Sequence, residues 1–326
     1  MSTPTFSIIA PIYNEFDNLP ELYRRVTGVM DGMCQPTGES WELVLVDDGS
    51  RDGSTERIRE LAGKDERVRP VIFARNFGHQ LAVTAGLDYA RGQAAVIIDA
   101  DLQDPPEVIV EMVAKWREGY EVVYATRTER EGESWFKLVT ADMFYRLIYR
   151  ITDISIPRDT GDFRLLDRKV VNVMKQMRER HRFLRGMSVW VGFRQCGVGY
   201  KRAARFSGET KYPFKKMLKF ANDAITGFSY FPLQVATYLG FVAAGISIVA
   251  IPVVITMRLA GWHAFEGQTT ALIAILFLGG VQLISLGILG EYIGRVYDEV
   301  KGRPLYIVRE APAGEPAQPV SDSAKG

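Results

Sequence analysis

The chain has 326 residues, 47% of them hydrophobic and 24% charged, and its 40 Lys and Arg against 39 Asp and Glu give a net charge of +1. This composition argues against a largely disordered chain, a many-helix transporter and a nucleic-acid-binding protein with a global basic surface. Cys34 and Cys196 lie far apart and lack CxxC spacing, so we expect neither a disulfide scaffold nor a zinc site. Residues 1–6 carry no basic segment followed by an apolar run, so we expect no cleavable signal peptide.

The first 210 residues alternate between β-rich apolar runs and helix-like stretches, which predicts a parallel sheet covered by helices. The predicted strands are Phe6–Ile12, Glu42–Val46, Val68–Phe73, Ala94–Ile98 and Val122–Ala125. The predicted helices are Leu19–Met30, Ser54–Ala62, Gln80–Ala90 and Pro106–Arg117. Ligands of such sheets bind beyond the carboxyl ends of the strands, so we expect the functional residues there.

The first two predicted strands end in polar motifs. Pro11–Glu15 follows the first strand without a GxGxxG or Walker-type GxxxxGK[ST] sequence, which argues against a dehydrogenase or a P-loop kinase. The second strand ends in Val46–Ser50, where Asp47 and Asp48 can accept hydrogen bonds from a base or a ribose. The same residue types also suit a turn that caps a helix, and the residues alone leave both interpretations open.

Two carboxylates, Asp99 and Asp101, follow the fourth predicted strand. In extended backbone, residues two apart lie on one side, an arrangement that suits Mg²⁺ or Mn²⁺ bound together with substrate phosphates. Pro105 and Pro106 then end the strand and can begin the next helix. An isolated DxD sequence is weak support for a metal site, but this one comes after a buried strand and after the earlier Asp-Asp motif.

Two further segments combine charged residues with glycine. Arg158–Arg164 combines carboxylates, a glycine and cations without a clear helix period, and these residues are expected either to be functional or to cap a loop. Arg205–Tyr212 follows a hairpin-like stretch, Val189–Tyr200. Its cations are expected either to bind an anionic head group or to provide general attraction to a membrane surface.

Two long uncharged runs, Leu233–Met257 and Gly267–Gly290, are each long enough to span a bilayer as a helix. A buried helical hairpin in a soluble protein is the alternative. Lysines and arginines flank the outer ends of the two runs, whereas the loop Arg258–Gln268 contains one arginine. The positive-inside rule then places the N-terminal domain and the C-terminal tail in the cytoplasm.

The predicted organisation has six parts. Residues 212–230 have the pattern of an amphipathic interfacial helix, with a core helix of the soluble domain as the alternative. The parts are a cytoplasmic domain at 1–210, a juxtamembrane segment at 211–232, membrane helices at 233–257 and 269–291, a connecting loop at 258–268, and a tail at 292–326 that is disordered after about 310.

The order of these motifs resembles that of family 2 glycosyltransferases with the GT-A fold. Within this group the chain is similar to the polyprenyl-phosphate glycosyltransferases, which include bactoprenol glucosyltransferases and dolichyl-phosphate mannose synthases. The resemblance extends from about Phe6 to Val308 and rests on Pro11–Glu15, Val46–Ser50, Asp99–Pro106, Asp159–Arg164, Arg205–Tyr212 and Glu291–Arg295. It implies an α/β domain with a Rossmann-like, mostly parallel sheet, followed by two transmembrane helices.

The resemblance also implies roles for individual residues. Pro11, Tyr13, Glu15 and Asp48 match nucleotide-binding positions, and Asp99 and Asp101 match the DxD motif that contacts the nucleotide-sugar and its Mg²⁺ or Mn²⁺. Gln103 matches a further metal contact. Asp162 or Asp159 is implied as the catalytic carboxylate, and Arg127, Arg205 and Lys211 as cations around the phosphates of donor and acceptor.

The implied reaction is inverting transfer of one sugar from a nucleotide-sugar, UDP-glucose or a related UDP-sugar, to undecaprenyl phosphate at the inner membrane. Its product would serve cell-envelope glycan modification, and relatives suggest a homo-tetramer. Processive synthases carry QxxRW, whereas the corresponding stretch here reads Arg182–Gly186. Two spans are also too few for a polymer channel, so processive synthesis is the less favoured alternative, beside a catalytically silent membrane scaffold.

Overall fold

The computed structural model describes residues 3–128, 157, 160–201, 231–260 and 268–312. Among these residues eight strands form one sheet. They are β1 (Phe6–Ile12), β2 (Trp41–Asp47), β3 (Val68–Phe73), β4 (Ala94–Ile97), β5 (Val122–Arg127), β6 (Thr160–Asp167), β7 (Gln195–Tyr200) and β8 (Val308–Glu310). The spatial order is β7-β5-β6-β4-β1-β2-β3-β8, with β6 and β8 antiparallel to their neighbours. The sheet is therefore mixed and mostly parallel.

The described residues include eight α-helices, the first four of which connect the parallel strands β1 to β5, as the alternating sequence pattern predicts. They are α1 (Leu19–Cys34), α2 (Ser54–Lys64), α3 (His79–Tyr89), α4 (Val108–Arg117), α5 (Arg168–Gln176), α6 (Leu184–Trp190), α7 (Phe231–Leu259) and α8 (Gln268–Val300). The predicted fold class, an α/β domain with a mostly parallel sheet followed by two long apolar helices, is confirmed. Every predicted strand and helix in the first 125 residues is present, with differences of a few residues at the ends.

Helices cover both faces of the sheet and form one apolar cluster on each. Successive strand residues point to opposite sides and so belong to different clusters. Ile8 of β1 belongs to the apolar cluster formed with α1, α2 and α4, whereas the adjacent Ile9 belongs to the cluster formed with α3, α5 and α6. Gly86 lets α3 lie close to β1, since a Cβ atom there would be 2.1 Å from Ile9 Cγ2. This burial on both faces explains why the strands read as continuous apolar runs.

Two features of the second half of the domain differ from the sequence interpretation. Residues 160–164, for which a loop is the non-functional alternative, form the first part of β6, and β6 pairs antiparallel with both β4 and β5. Val189–Tyr200 is not a hairpin: α6 ends at Trp190, Gly192 turns the chain at φ +73°, and β7 then pairs in parallel with β5. The charged side chains of β6 hide its apolar alternation, and the partner of β7 lies some 70 residues earlier in the chain.

The two C-terminal helices are long and apolar enough to cross a membrane over Phe231–Met257 and Ala274–Val300. Many of their large apolar side chains are exposed, which argues against a buried soluble hairpin. After α8, which continues past residue 291, the chain returns to the sheet and β8 pairs with β3. Tyr306 stacks on Phe73 with ring centroids 5.1 Å apart. Residues 202–230, with the predicted interfacial helix, and 313–326 of the tail lie outside the described residues.

Candidate active site

The loop after β1 displays one aromatic and one acidic side chain at the carboxyl-terminal edge of the sheet. Pro11 is buried within β1, whereas the Tyr13 side chain is 43% exposed. The Glu15 carboxylate accepts a hydrogen bond from Asn18 Nδ2 at 2.5 Å, and the Glu15 backbone N–H donates to Ser54 Oγ at 3.0 Å. The start of α2 therefore fixes the loop that carries Tyr13.

Asp48, at the end of β2, is a buried carboxylate bound by backbone amides. It is 3% exposed and accepts hydrogen bonds from Phe77 N–H at 2.6 Å and Gly78 N–H at 2.9 Å. Burial raises the pKa of Asp48, and these two amides partly offset the rise. Gly49 follows Asp48 at φ +71°, where a Cβ atom would lie 2.6 Å from the carbonyl carbon of Arg75. The turn itself is present, since the Ser50 N–H donates to Asp47 Oδ1 at 2.9 Å, but the N-cap residues of α2 and α3 make no side-chain capping hydrogen bond. A nucleotide contact by Asp48 stays a prediction.

Asp99 follows the end of β4, whereas Asp101 lies in a turn at residues 100–101, so the two do not share one extended strand. The strand β4 ends at Ile97, and Leu102 adopts the left-handed region at φ +59°. The Gln103 N–H donates to Asp101 Oδ1 at 3.1 Å, which closes the turn. The sequence places both carboxylates correctly at the strand end, but the predicted extended geometry is wrong.

The turn after β4 carries an excess of negative charge. Burial raises the pKa of Asp99 to about 6, against the opposing effect of His79. The carboxylates of Asp162, Asp104 and Asp101 add to the rise. Among the described residues, no group of three or more His, Cys, Asp or Glu side chains is arranged to hold a metal ion alone. Two carboxylates are nevertheless enough for Mg²⁺ when substrate phosphates complete its coordination.

Asp162 lies in β6, beside this turn, and is held by three side chains from two helices. It is 7% exposed; its Oδ1 accepts from Arg185 Nε at 2.7 Å, and its Oδ2 lies 3.1 Å from His79 Nε2 and 3.2 Å from Gln80 Nε2. Burial alone would raise the pKa of Asp162. The Arg185 guanidinium and His79 outweigh burial and hold that pKa well below its usual range.

His79 joins the two carboxylate positions. Its Nε2 lies 3.1 Å from Asp162 Oδ2 and 3.7 Å from Asp99 Oδ1. Burial would lower the pKa of His79, but the hydrogen bond to Asp162 and the charges of Asp99 and Asp162 raise it to about 9. An imidazolium between the two carboxylates keeps them close together despite their like charges.

Sequence reasoning missed three of these residues. His79 and Gln80 begin α3 just beyond the end of β3, so the rule that ligands bind at strand ends could have found them. Arg185 lies in Arg182–Gly186, the stretch that corresponds to QxxRW in processive synthases and does not contain that motif. Its contact with Asp162 depends on tertiary structure and has no local sequence signal.

Arg127, at the end of β5, lies at the same edge. Its Nε donates to Tyr200 Oη at 3.4 Å, and Tyr200 Oη in turn donates to Asp104 Oδ1. Burial and the Asp104 charge raise the pKa of Tyr200 to about 12. A Cβ atom on Gly161 would be 3.3 Å from Arg127 Nη2, so the start of β6 runs beside this guanidinium. Asp159, Arg205 and Lys211 lie outside the described residues.

Comparisons with known proteins bear on both halves of the chain. The glycosyl transferase family 2 profile matches residues 7–174, and the GtrB C-terminal hairpin profile matches residues 231–296. The chain is 52% identical over 306 residues to the uncharacterized glycosyltransferase YkcC of Bacillus subtilis (strain 168), covering 94% of each. It is 42% identical over 310 residues to the SfII prophage-derived bactoprenol glucosyl transferase of Shigella flexneri, covering 95% of this chain and 99% of that one.

Among solved structures, the mannosyltransferase PcManGT from Pyrobaculum calidifontis, in complex with GDP-Man and Mn²⁺, matches with a TM-score of 0.42. The two chains are 16% identical, and 88% of each is covered.

Proposed function

The chain belongs to glycosyl transferase family 2 and carries the GtrB C-terminal hairpin, and from this we propose that it transfers one sugar from a UDP-sugar to undecaprenyl phosphate. The main support is the 42% identity, over 99% of its length, to a protein named bactoprenol glucosyl transferase. UDP-glucose is the first candidate donor for the same reason. Donors with N-acetylated or 4-amino-4-deoxy sugars are the next to test.

In the proposed reaction, an oxygen of the lipid phosphate attacks the anomeric carbon while the bond to the donor diphosphate breaks. The electron pair leaves with UDP, and the configuration at the anomeric carbon inverts. A phosphate monoester has a second pKa near 6, so the attacking oxygen is already largely ionised at neutral pH. The reaction therefore has little need of a general base.

Because a general base is scarcely needed, we propose a role other than proton acceptor for Asp162. A carboxylate whose pKa is held well below its usual range is a weak proton acceptor. We assign Asp162 to orienting His79 and Arg185 at the site, where the cations reduce the repulsion between two anionic substrates. Asp159 remains the alternative catalytic carboxylate.

The proposed metal site consists of Asp99, Asp101 and Gln103. All three supply oxygen ligands, which Mg²⁺ and Mn²⁺ favour. Burial is the main cause of the raised pKa of Asp99, and the carboxylates of Asp162, Asp104 and Asp101 add to it, a local negative charge that fits a divalent cation. When bound, the ion supplies positive charge to the leaving diphosphate. Arg127 lies at the same edge of the sheet, and we propose that Arg205 and Lys211 contribute further positive charge there.

The hairpin of α7 and α8 would anchor this site at the membrane surface. The Lys and Arg residues that flank both helices support a cytoplasmic catalytic domain, where UDP-sugars are available. Tyr13, Glu15 and Asp48 are proposed to bind the nucleotide, and Pro11 to shape the adjoining wall. We also propose a homo-oligomer, with a tetramer as the first arrangement to test by native mass spectrometry in detergent.

A transfer assay tests the proposed activity. Purified full-length chain in detergent would receive undecaprenyl phosphate, one of a panel of labelled UDP-sugars, and Mg²⁺, Mn²⁺ or EDTA. We expect label from one donor to move into organic-extractable lipid, with one sugar per lipid, and to stop with EDTA. No transfer from any donor by folded protein would overturn the proposal, and chains of several sugars would favour a processive enzyme.

A matched pair of variants tests the metal site. We expect Asp101→Asn to lower the transfer rate by about 100-fold or more, because removal of a group that stabilises developing charge typically costs that much. Glu66→Gln is the control, since this exposed carboxylate precedes β3 and so lies at the opposite edge of the sheet. Equal rates for the two variants would count against a metal at Asp101.

A further inference from the structure

The connection between α5 and α6, residues 177–183, contacts the end of the second membrane helix; we refer to it as the α5–α6 linker. The Arg180 backbone N–H donates to Glu299 Oε1 at 2.7 Å, and the Arg180 guanidinium donates to the carbonyl of Arg303. His181 Nε2 lies 3.5 Å from Asp298 Oδ2. Asp298 and Glu299 occupy the last turn of α8, so the linker is attached where this helix leaves its membrane-spanning part.

The same linker leads directly into the candidate active site. The Leu184 N–H, at the start of α6, donates to Gln80 Oε1 at 3.0 Å. The next residue, Arg185, donates to Asp162 at 2.7 Å. Only a few residues therefore separate the contacts with α8 from the guanidinium that holds Asp162.

A second connection reaches Asp162 from the other side. Beyond α8, Tyr306 Oη donates to Asp88 Oδ2 at 2.6 Å, and Arg178 of the linker forms an ion pair with the same carboxylate at 2.9 Å. Asp88 lies near the end of α3, and His79 at the start of that helix contacts Asp162. The cationic partners of Asp162 thus lie on two helices, each tied to the chain at or just beyond the end of the membrane hairpin.

We propose that Arg180 and His181 are positioning residues, which set the location of Arg185 and Asp162 relative to the membrane hairpin. The inference rests on the proposed function, because a lipid phosphate held at the membrane surface must meet the donor at a fixed height. Exposed ion pairs contribute little to stability, so these contacts are better suited to setting geometry. A displacement of about 1 Å at a reacting centre can cost about 100-fold in rate.

The test removes the contacts from the α8 side, with the variant Asp298→Ala/Glu299→Ala. Alanine favours helix, and two negative charges are removed from a helix C-terminus, so we expect α8 to persist. We expect kcat for lipid transfer to fall about 10-fold, with KM for the UDP-sugar changed less than about 2-fold. Glu310→Ala is the matched control, since it breaks a 2.5 Å ion pair to Arg59 that does not lead to Asp162.

A readout independent of activity is hydrogen exchange at the Leu184 amide, measured on the full chain in lipid nanodiscs. We expect faster exchange in the double-alanine variant and wild-type exchange in Glu310→Ala. Wild-type kcat in the double-alanine variant, or slower transfer without any change in exchange, would overturn the inference. If the wild-type chain transfers no sugar, the proposed function fails, whereas the exchange experiment still decides whether α8 and Leu184 are coupled.

A double-mutant cycle separates positioning from a general loss of structure. Arg185→Lys shortens the reach of the group that holds Asp162 and should lower kcat by itself. In that background we expect Asp298→Ala/Glu299→Ala to cost less than about 2-fold, because the coupling has already been lost. Additive effects of the two changes would overturn the inference.

Discussion

At each end of the parallel strands, amino-terminal and carboxyl-terminal, a carboxylate is buried among basic side chains. The two ends, which form the amino-terminal and carboxyl-terminal edges of the sheet, differ in the balance of positive and negative charge. At the amino-terminal edge, Glu42 of β2 is 2% exposed and accepts from Ser7 Oγ at 2.6 Å, Arg69 Nη1 at 2.9 Å and Arg91 Nε at 2.9 Å. Burial would raise the pKa of Glu42, but these hydrogen bonds and charges lower it. Two guanidinium groups contact this one carboxylate, and it is buried from solvent.

At the carboxyl-terminal edge the balance is reversed. Asp162 has Arg185 and His79 as cationic partners, but the carboxylates of Asp101 and Asp104 lie near enough to Asp99 to raise its pKa further. The cations satisfy Asp162, whereas burial and the neighbouring carboxylates keep the pKa of Asp99 raised against the effect of His79. The two clusters therefore differ in sign: basic groups are in excess around Glu42, whereas acidic groups are in excess around Asp99, and an excess of acidic groups of this kind is what a cation-binding site requires.

The largest effect is expected from Asp162→Asn. The change removes the carboxylate that orients Arg185 and His79, and we expect transfer to fall about 100- to 1000-fold. One like charge fewer beside Asp99 should also lower the pKa of that group. Transfer kinetics and NMR titration of labelled aspartate would measure the two effects. A rate within about 3-fold of wild type would show that the edge tolerates a neutral residue at this position.

At the amino-terminal edge, Glu42→Gln should lower stability and leave the transfer rate almost unchanged. Breaking a buried ion pair by removing one partner typically costs about 3–5 kcal/mol, so we expect a loss of about 3 kcal/mol in the free energy of unfolding. The kcat of the folded enzyme should remain within about 2-fold of wild type. Urea unfolding and transfer kinetics test this, and a strong loss of kcat without a loss of stability would contradict the division between the edges.

The Glu42 cluster also predicts a direction for pH dependence. Because the pKa of Glu42 is lower in the folded than in the unfolded chain, its contribution to stability is complete above the unfolded value of about 4.3. That contribution is lost as the pH falls through the folded value. Stability of Glu42→Gln should therefore depend less on pH than wild type in this acid range.

A smaller effect is expected from Asp48→Asn, since the hydrogen bonds to Asp48 from the described residues come from backbone amides and not from a guanidinium or ammonium group. The new side-chain amide places a donor against one of the two N–H groups of Phe77 and Gly78, and we expect a loss of about 1–3 kcal/mol in stability. A calorimetric Tm measures this loss. The KM for the UDP-sugar, measured in parallel, should rise if Asp48 also binds the nucleotide. An unchanged Tm would show that the loop before α3 has another support.

The smallest effect is expected from Glu107→Gln, which breaks an exposed ion pair with Arg25 at 2.5 Å. An exposed pair of this kind contributes less than about 1 kcal/mol. The variant calibrates the other stability measurements, and a loss as large as that of Glu42→Gln would remove the distinction between buried and exposed pairs.

The first half of the domain could be predicted because its strands, helices and motifs have signals within short stretches of sequence. Buried parallel strands read as apolar runs, and their carboxyl ends meet at one edge, so the order of motifs places Asp48, Asp99 and Asp101 there. The turn geometry of Asp99 and Asp101 could not be predicted, because it depends on the left-handed conformation of Leu102.

The second half could not be predicted because its partners are distant in sequence. In β6, Arg164 is buried and satisfied by Ser188 and the Gly161 carbonyl, so a charge occupies a position where the pattern calls for an apolar residue. Burial lowers the pKa of this guanidinium to about 10. Arg185 reaches Asp162 only after α6 has packed on the sheet, and three-residue β8 is too short to have a periodicity.

The position of β8 has a consequence for the order of synthesis. The edge of β3 pairs with a strand that lies beyond both apolar helices, and the contact between Asp88 and Tyr306 spans 218 residues. During translation, N-terminal segments fold first. Strand β3 therefore stays an unpaired edge strand of the sheet until both apolar helices and then β8 have been synthesised. Chaperones that shield open strand edges would therefore act on this protein until the last strand leaves the ribosome, and a stalled insertion would leave its catalytic domain prone to aggregation.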